Sequence, residues 1–230
     1  MFAQFWVVVP AAGVGSRMGA DRPKQYLSLT GKSIIEHTLN CFLDHPGLLG
    51  LVVCLAVDDP YWAKLRCATD PRVERAAGGT ERANSVLAGL QRLSELGATD
   101  HEWVLVHDAA RPNLSRQDLN KLLVELSDDP VGGLLAVPAR DTLKRAAANG
   151  RVAETIDRSV VWQAFTPQMF RLGALREALA GALEAGAAVT DEASAMEWAG
   201  HGPRLIEGRS DNLKITRPED LQWLAQRWRS

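Results

Sequence analysis

Two cations, Arg17 and Lys24, stand seven residues apart in a stretch that runs Val7-Val8-Val9-Pro10-Ala11-Ala12-Gly13-Val14-Gly15-Ser16-Arg17-Met18 and closes on Pro23-Lys24-Gln25-Tyr26. Fixed positive charge beside a glycine turn suits phosphate chemistry. Glycine lets a backbone turn tightly and come close to a ligand, and the N–H groups of such a turn point at an anion that fills it. The stretch reads as a cradle for a triphosphate. It is not a phosphate loop of the G-x-x-x-x-G-K-[ST] kind, which the sequence lacks. Met18 stands where a dinucleotide fingerprint needs a third small residue, which disfavours a dinucleotide-dependent oxidoreductase. Gly13-x-Gly15 alone is common to many α/β turns, so the two cations carry the reading.

Three further places complete a constellation. Ala77-Gly78-Gly79-Thr80-Glu81-Arg82-Ala83-Asn84-Ser85 is a second glycine turn that enters a helix. His107-Asp108-Ala109-Ala110-Arg111-Pro112 follows an apolar run, which puts Asp108 at a strand end. A carboxylate there suits Mg²⁺ bridging phosphates, or a helix N-cap. Arg111 suits a phosphate, or Asp108 itself. Lys214 lies in a short apolar stretch, where it reads as a phosphate contact or as an edge-strand gatekeeper. His107 is a tempting general base, yet beside Asp108 at a strand end it reads as an orienting or structural residue. No Ser-His-Asp or Cys-His arrangement is evident by motif.

The elements that must position these residues alternate. Residues 5–9 and 49–57 read as buried strands, 33–43 as a helix with Ile35, Leu39 and Phe42 on one face, and 61–66 as a short helix. Residues 72–76, 103–106 and 133–137 read as further strands, with helices after Ser85 and Ser115. Asp118 three residues after Ser115 predicts a capping box. Strands alternating with helices predict a mainly parallel sheet with helices on both faces, and ligands beyond the carboxyl ends of its strands. The three turns should therefore meet at one rim. The alternation breaks at 138–160, a polar stretch with Asn149-Gly150 at its middle, which predicts a protruding two-stranded arm. Helices over 172–185 and 191–199, short strands over 204–207 and 213–216, and a last helix opened by a Thr216-Arg217-Pro218-Glu219 capping box complete the chain.

Composition sets the class. The 230 residues have a net charge of −2, so no broad basic surface argues for nucleic acid. The three cysteines form no C-x-x-C, and no histidines pair at metal-ligand spacing, which disfavours zinc. No apolar run approaches a membrane span, and the N-terminus lacks a signal peptide's basic region. A cytoplasmic protein is expected.

Taken together, these blocks resemble the cytidylyltransferases that make 4-diphosphocytidyl-2-C-methyl-D-erythritol. The resemblance rests on Pro10-Ala11-Ala12-Gly13-x-Gly15-x-Arg17-Met18 with Pro23-Lys24-Gln25, and on Val106-His107-Asp108-Ala109-Ala110-Arg111-Pro112. Thr190-Asp191-Glu192-Ala193-Ser194 and Asp211-Asn212-x-Lys214-x-Thr216-x-Pro218-Glu219-Asp220 continue it in the family's order. It implies an α/β, Rossmann-like fold of the nucleotide-diphospho-sugar-transferase (GT-A-like) kind, in one domain with 138–160 as a dimerisation arm. It implies CTP and a sugar-alcohol phosphate as substrates, Mg²⁺ or another divalent cation as cofactor, and a homodimer. By the same resemblance Arg17, Lys24 and Lys214 are catalytic, and Ala11, Ala12, Gly13, Gly15, Gly79, Thr80 and Ser85 bind the nucleotide. Asp108, Arg111, Thr142, Arg158, Thr166 and Thr190 bind the second substrate, Asp108 also the metal, and Thr142 and Arg158 reach the neighbouring subunit. Ser16 stands where some members carry a second Arg, and Thr80 where many carry Asp. The rival readings are a ribitol-5-phosphate cytidylyltransferase and a nucleotide-sensing module without catalysis.

Overall fold

A computed structural model describes residues 3–13, 18–19 and 21–229. In chain order the strands are β1 (Phe5–Pro10), β2 (Ser28–Leu29), β3 (Lys32–Ser33), β4 (Leu48–Leu55), β5 (Val73–Ala77), β6 (Trp103–Val106), β7 (Gly132–Pro138), β8 (Leu143–Ala146), β9 (Val152–Ile156), β10 (Trp162–Arg171) and β11 (Arg204–Glu207). The helices are α1 (Ile34–Leu43), α2 (Arg82–Glu95), α3 (Arg116–Glu125), α4 (Leu172–Glu184), α5 (Glu192–Trp198) and α6 (Pro218–Arg227).

The described residues form a seven-stranded sheet in the order β11-β7-β10-β6-β1-β4-β5. β1 pairs in parallel with β4 and β6, β4 with β5, and β7 with β11. β10 runs antiparallel between β6 and β7. Val7, Val8, Val9, Val52, Val53, Val104, Leu105 and Val106 are all buried, as a sheet covered on both faces requires. One face packs on α1 and α3 through Leu39, Phe42, Leu119 and Leu122. The other packs on α2, α4 and α5 through Val86, Leu90, Leu175, Leu179 and Met196. Gly89 of α2 makes that contact close: a Cβ there would meet Val8 Cγ1 at 2.5 Å. No helix among the described residues is long and apolar enough to cross a membrane.

Several expectations shift. The ten-residue strand β10 is absent from the sequence reading. Pro167 and the polar residues Gln163, Thr166 and Gln168 hide it, because proline removes a ladder donor and is rare in central strands. The sheet accommodates Pro167 where its register against β7 breaks, between Ala164 and Gln168. Residues 213–216 are not a strand. They run as a coil tied to the core by a bond from Ile215 N to Ala110 O at 2.9 Å. The last helix starts one residue later than expected: Arg217 is the N-cap, and Asp220 Oδ2 accepts from the Thr216 and Arg217 N–H groups at 2.9 Å. The expected box at Ser115 is half-formed. Ser115 Oγ accepts from Asp118 N, but the Asp118 carboxylate turns away to accept from Arg209 N at 3.0 Å. Residues 61–66 divide among 3-10 turns at Trp62–Lys64 and Arg66–Thr69.

The arm is present as drawn from the sequence. β8 and β9 pair with each other in a separate two-stranded sheet, and Val152 and Val160 are 63% and 77% exposed.

Candidate active site

The carboxyl ends of the strands carry two adjoining cavities. The larger, about 230 Å³, is lined by Ala11, Ala12, Gly13 and Lys24 from the first turn, by Gly79, Thr80, Arg82 and Ser85 from the second, and by Asp108 and Lys214. The smaller, about 190 Å³, is lined by Arg82, Asp108, Arg111, Thr166, Thr190 and Lys214, with Ala164, Phe165, Gln168 and Asp191. Arg82, Asp108 and Lys214 border both and form the divide.

Buried bonds shape the larger cavity. Gln25, 4% exposed, donates from Nε2 to Ala11 O at 2.6 Å and Gly13 O at 3.2 Å, which fixes the start of the cradle. Ala12 lies against Gly78, where a Cβ would meet the Ala12 Cβ at 2.2 Å. That contact brings the two glycine turns together. Ser85 Oγ accepts from Gly79 N at 3.0 Å and donates to Glu81 O at 3.1 Å, so its hydroxyl holds the second turn closed. α2 begins there without a side-chain cap. Its first N–H groups and positive dipole end therefore favour an anion in this cavity. Lys24 Nζ donates to Ile215 O at 2.9 Å, linking the first turn to the coil that carries Lys214.

Asp108 is the centre of the divide. Its Oδ1 accepts from Arg82 Nε at 3.1 Å, and its Oδ2 meets Arg111 Nε at 3.3 Å and Lys214 Nζ at 3.0 Å. Burial works to raise its pKa, but Arg82, Lys214 and Arg111 outweigh burial and hold the carboxyl well below the ordinary range. Burial lowers the Arg111 pKa, with Asp108 pulling the other way. Arg82 also grips Glu192 with both terminal nitrogens, at 2.7 and 3.1 Å. Burial opposes the Arg82 charge, yet Glu192 and Asp108 together push its pKa above the usual arginine value.

A one-way hydrogen-bond chain supports the divide. His107 is fully buried, and its Nε2 lies 3.0 Å from Arg111 O, which can only accept. Nε2 is therefore the protonated nitrogen. Nδ1 then accepts from Thr166 Oγ1 at 2.9 Å, and Thr166 Oγ1 accepts from Asp108 N at 3.1 Å. Burial lowers the His107 pKa to about 4, so the ring stays neutral. With both nitrogens occupied, His107 is structural, as the sequence suggested. Asn212 extends the support, donating from Nδ2 to Thr166 O at 2.9 Å while its backbone carbonyl accepts from Arg111 Nη1 at 2.7 Å.

The expected residues thus divide into groups. Ala11, Ala12, Gly13, Lys24, Gly79, Thr80, Ser85, Asp108, Arg111, Thr166, Thr190 and Lys214 converge on the two cavities. Thr142 and Arg158 are exposed on the arm and border neither cavity. Gly15 and Arg17 lie outside the described residues. Lys214 pairs with Asp108 rather than guarding a sheet edge. Gln25, Arg82, Gln168 and Glu192 also build the site, and sequence reasoning gave them no role. Gln25 and Glu192 stand in the blocks that carry the resemblance and Arg82 in the second glycine turn, while Gln168 lies in a stretch that carries no motif.

An α/β protein with two adjoining cavities at its strand ends, and a cationic divide between them, has the form of an enzyme that brings two phosphate-bearing ligands together. A profile of the family described as "IspD: 2-C-methyl-D-erythritol 4-phosphate cytidylyltransferase" matches residues 5–227. The chain belongs to this family. It is 72% identical over 228 residues to the 2-C-methyl-D-erythritol 4-phosphate cytidylyltransferase of Ectopseudomonas mendocina (strain ymp), covering 99% of this chain and 97% of the relative. A crystal structure of a 4-diphosphocytidyl-2C-methyl-D-erythritol synthase is 38% identical and superposes with a TM-score of 0.84, covering 97% of this chain and 98% of the other. The Francisella tularensis 2-C-methyl-D-erythritol 4-phosphate cytidylyltransferase is 35% identical with a TM-score of 0.83, covering 99% of this chain and all of that one.

Proposed function

We infer that the chain transfers CMP from CTP to 2-C-methyl-D-erythritol 4-phosphate, giving 4-diphosphocytidyl-2-C-methyl-D-erythritol and pyrophosphate, a step of the non-mevalonate isoprenoid pathway. The observation that carries the reading, beside family membership, is the divide. Asp108 is held by Arg82, Arg111 and Lys214 where the two cavities adjoin. In this reading CTP takes the larger cavity and the methylerythritol phosphate the smaller.

An oxygen of the acceptor phosphate attacks the α-phosphorus of CTP. A bond to that phosphorus forms as its bond to the bridging oxygen breaks, and pyrophosphate leaves. A phosphate monoester loses its second proton at a pKa of about 6, so no protein base is needed. A buried, neutral His107 with both ring nitrogens engaged agrees with that. The barrier is one of charge: two anions must meet, and more charge collects on the leaving group. Preorganised cations lower it because they need no reorganisation during the reaction. Lys24 lies toward the cradle and Lys214 on the divide, and we assign both, with Arg17, to this role. Gly13, Gly15, Gly79, Thr80 and Ser85 are assigned to the nucleotide, and Thr166 and Thr190 to the acceptor.

The divide fits a divalent ion carried by the triphosphate. Asp108 Oδ1 takes one donor, while a carboxylate oxygen has about two lone pairs. Mg²⁺ commonly takes only one or two carboxylates and fills its shell with phosphate oxygens and water. No group of three or more His, Cys, Asp or Glu among the described residues is placed to hold a metal alone. When bound, such an ion supplies positive charge over the phosphate oxygens.

The arm is assigned to dimerisation. Its strands pair only with each other in the described sheets, Val152 and Val160 are exposed, and Thr142 and Arg158 border neither of the two cavities of their own chain. A twofold homodimer that brings them to the neighbour's acceptor cavity explains all three. Free cysteines at Cys41, Cys54 and Cys67 support a reducing, cytoplasmic setting.

Pyrophosphate release with CTP and Mg²⁺ tests the reading, with methylerythritol phosphate and ribitol 5-phosphate compared as acceptors. Turnover that prefers the first acceptor is expected. Preference for ribitol 5-phosphate, or no release with either, would overturn it.

A further inference from the structure

Glu192 is a buried carboxyl whose pKa burial raises, with the paired Arg82 pulling the other way. It is 1% exposed, it borders neither cavity, and it opens α5 behind the acceptor side of the site. Its carboxylate receives two nitrogens of one guanidinium, and the third nitrogen of that guanidinium holds Asp108. We propose that Glu192 is a positioning residue for the acceptor half of the site, acting through Arg82 to fix Asp108 on the divide.

Three observations carry this. All the Arg82 nitrogens are engaged, in a planar fork that has one orientation once both ends are bound. Arg82 therefore cannot swing to either phosphate without leaving Glu192 buried and unpaired, which is costly. Glu192 itself cannot drift. Gln168 on β10 accepts from Ala193 N at 2.8 Å and donates to Asp191 Oδ2 at 2.9 Å, which clamps the start of α5 to the sheet. Lastly, the same contact joins two walls that are remote in sequence. Arg82 begins α2 and Glu192 begins α5 next to Thr190 and Asp191 of the smaller cavity. The larger cavity, which Arg82 and Asp108 also border, has further ties of its own through Gln25 on the first turn and Ser85 on the second. Loss of the Glu192–Arg82 pair should therefore loosen the acceptor side, where α5 begins, far more than the nucleotide side.

The inference rests on the assignment of the smaller cavity to the acceptor, and steady-state kinetics with CTP and methylerythritol phosphate separate the two. Wild type is measured first; absence of turnover overturns both statements. Glu192→Gln keeps shape and one hydrogen bond to Arg82. It should raise KM for the acceptor about tenfold, a loss near 1.4 kcal/mol, with KM for CTP within about twofold of wild type. Thermal unfolding checks that the variant is folded. Equal changes in both KM values, or no change in either, overturn the positioning role and leave the functional reading standing. A double-mutant cycle with Arg82→Gln tests the route. If Glu192 acts through Arg82, Glu192→Gln adds no further rise in acceptor KM to the Arg82→Gln chain; an additive rise overturns that route.

Discussion

The strand ends and the arm are built from opposite physics. At the divide the charged groups are paired within the chain: Asp108 meets Arg82, Arg111 and Lys214, and His107 lies between Thr166 and Arg111, while Asn212 Oδ1 is buried without a partner among the described residues. On the arm, Thr142 and Arg158 are exposed, and Arg158 donates back to the Arg140 carbonyl of its own base. A charge cluster paired inside one chain is preorganised before any ligand arrives. Residues carried on a solvated hairpin become useful only against another surface. The comparison sets a buried, paired charge cluster beside a solvated hairpin in one chain.

The largest expected effect lies at the rigid end. Lys24→Ala and Lys214→Ala should each lower kcat by about 10²–10³, or roughly 2.7–4 kcal/mol of transition-state stabilisation, while circular dichroism stays native. Near-normal turnover in either would remove that residue from the mechanism.

A second effect comes from His107. Burial lowers its pKa from 6.5 to about 4. Between those values the unfolded chain binds a proton that the folded chain refuses, so stability falls as pH drops through that window. The full difference is on the order of 3 kcal/mol. His107→Gln, unfolded in urea without metal across this range, should show a flatter dependence. Its activity should still fall below about pH 6, where the acceptor phosphate takes up its proton. If the acid limb disappears with the histidine, His107 has a role in the chemistry that the geometry denies it.

The arm gives the next effect. Arg158→Ala should reduce acceptor turnover, and mixing it with Lys24→Ala should restore activity in the mixed dimer. Random exchange makes half the dimers mixed, each with one complete site, so recovery should approach about a quarter of wild type. No recovery after demonstrated exchange would mean that the arm serves its own chain or none.

The smallest effects compare one substitution in both regions. Gly89→Ala forces a Cβ against Val8 Cγ1 at 2.5 Å and Cys54 Sγ at 2.8 Å, and should cost about 1–3 kcal/mol in global unfolding. Gly150 at the arm's tip has a φ of 76° and nothing within 4 Å of an added Cβ. Gly150→Ala should cost about 1 kcal/mol or less, felt within the arm. Equal losses of global stability would show that the arm is part of the cooperative core.

Much of this was legible in the residues. Alternating apolar runs gave most of the parallel strands, because buried strands must be apolar on both faces. Glycine turns after such strands, with Lys24 and Asp108 beside them, marked the rim, because ligands gather at the carboxyl ends of parallel strands. Asn149-Gly150 marked the arm for a local reason, since that dipeptide fits a hairpin turn. β10 was not legible: Pro167 and its polar neighbours contradict the pattern of a central strand, and only the surrounding sheet makes their place there stable.

The sequence by itself determined where the chain turns and which residue types are present for phosphate chemistry, since backbone freedom, periodicity and charge are local properties. Tertiary structure alone decided which charges meet. Arg82 and Glu192 are 110 residues apart, and Arg111 and Asn212 are 101 apart. No local pattern encodes such a pair. The partners are set when helices and loops pack onto the sheet, and burial then makes every unpaired charge too costly to leave.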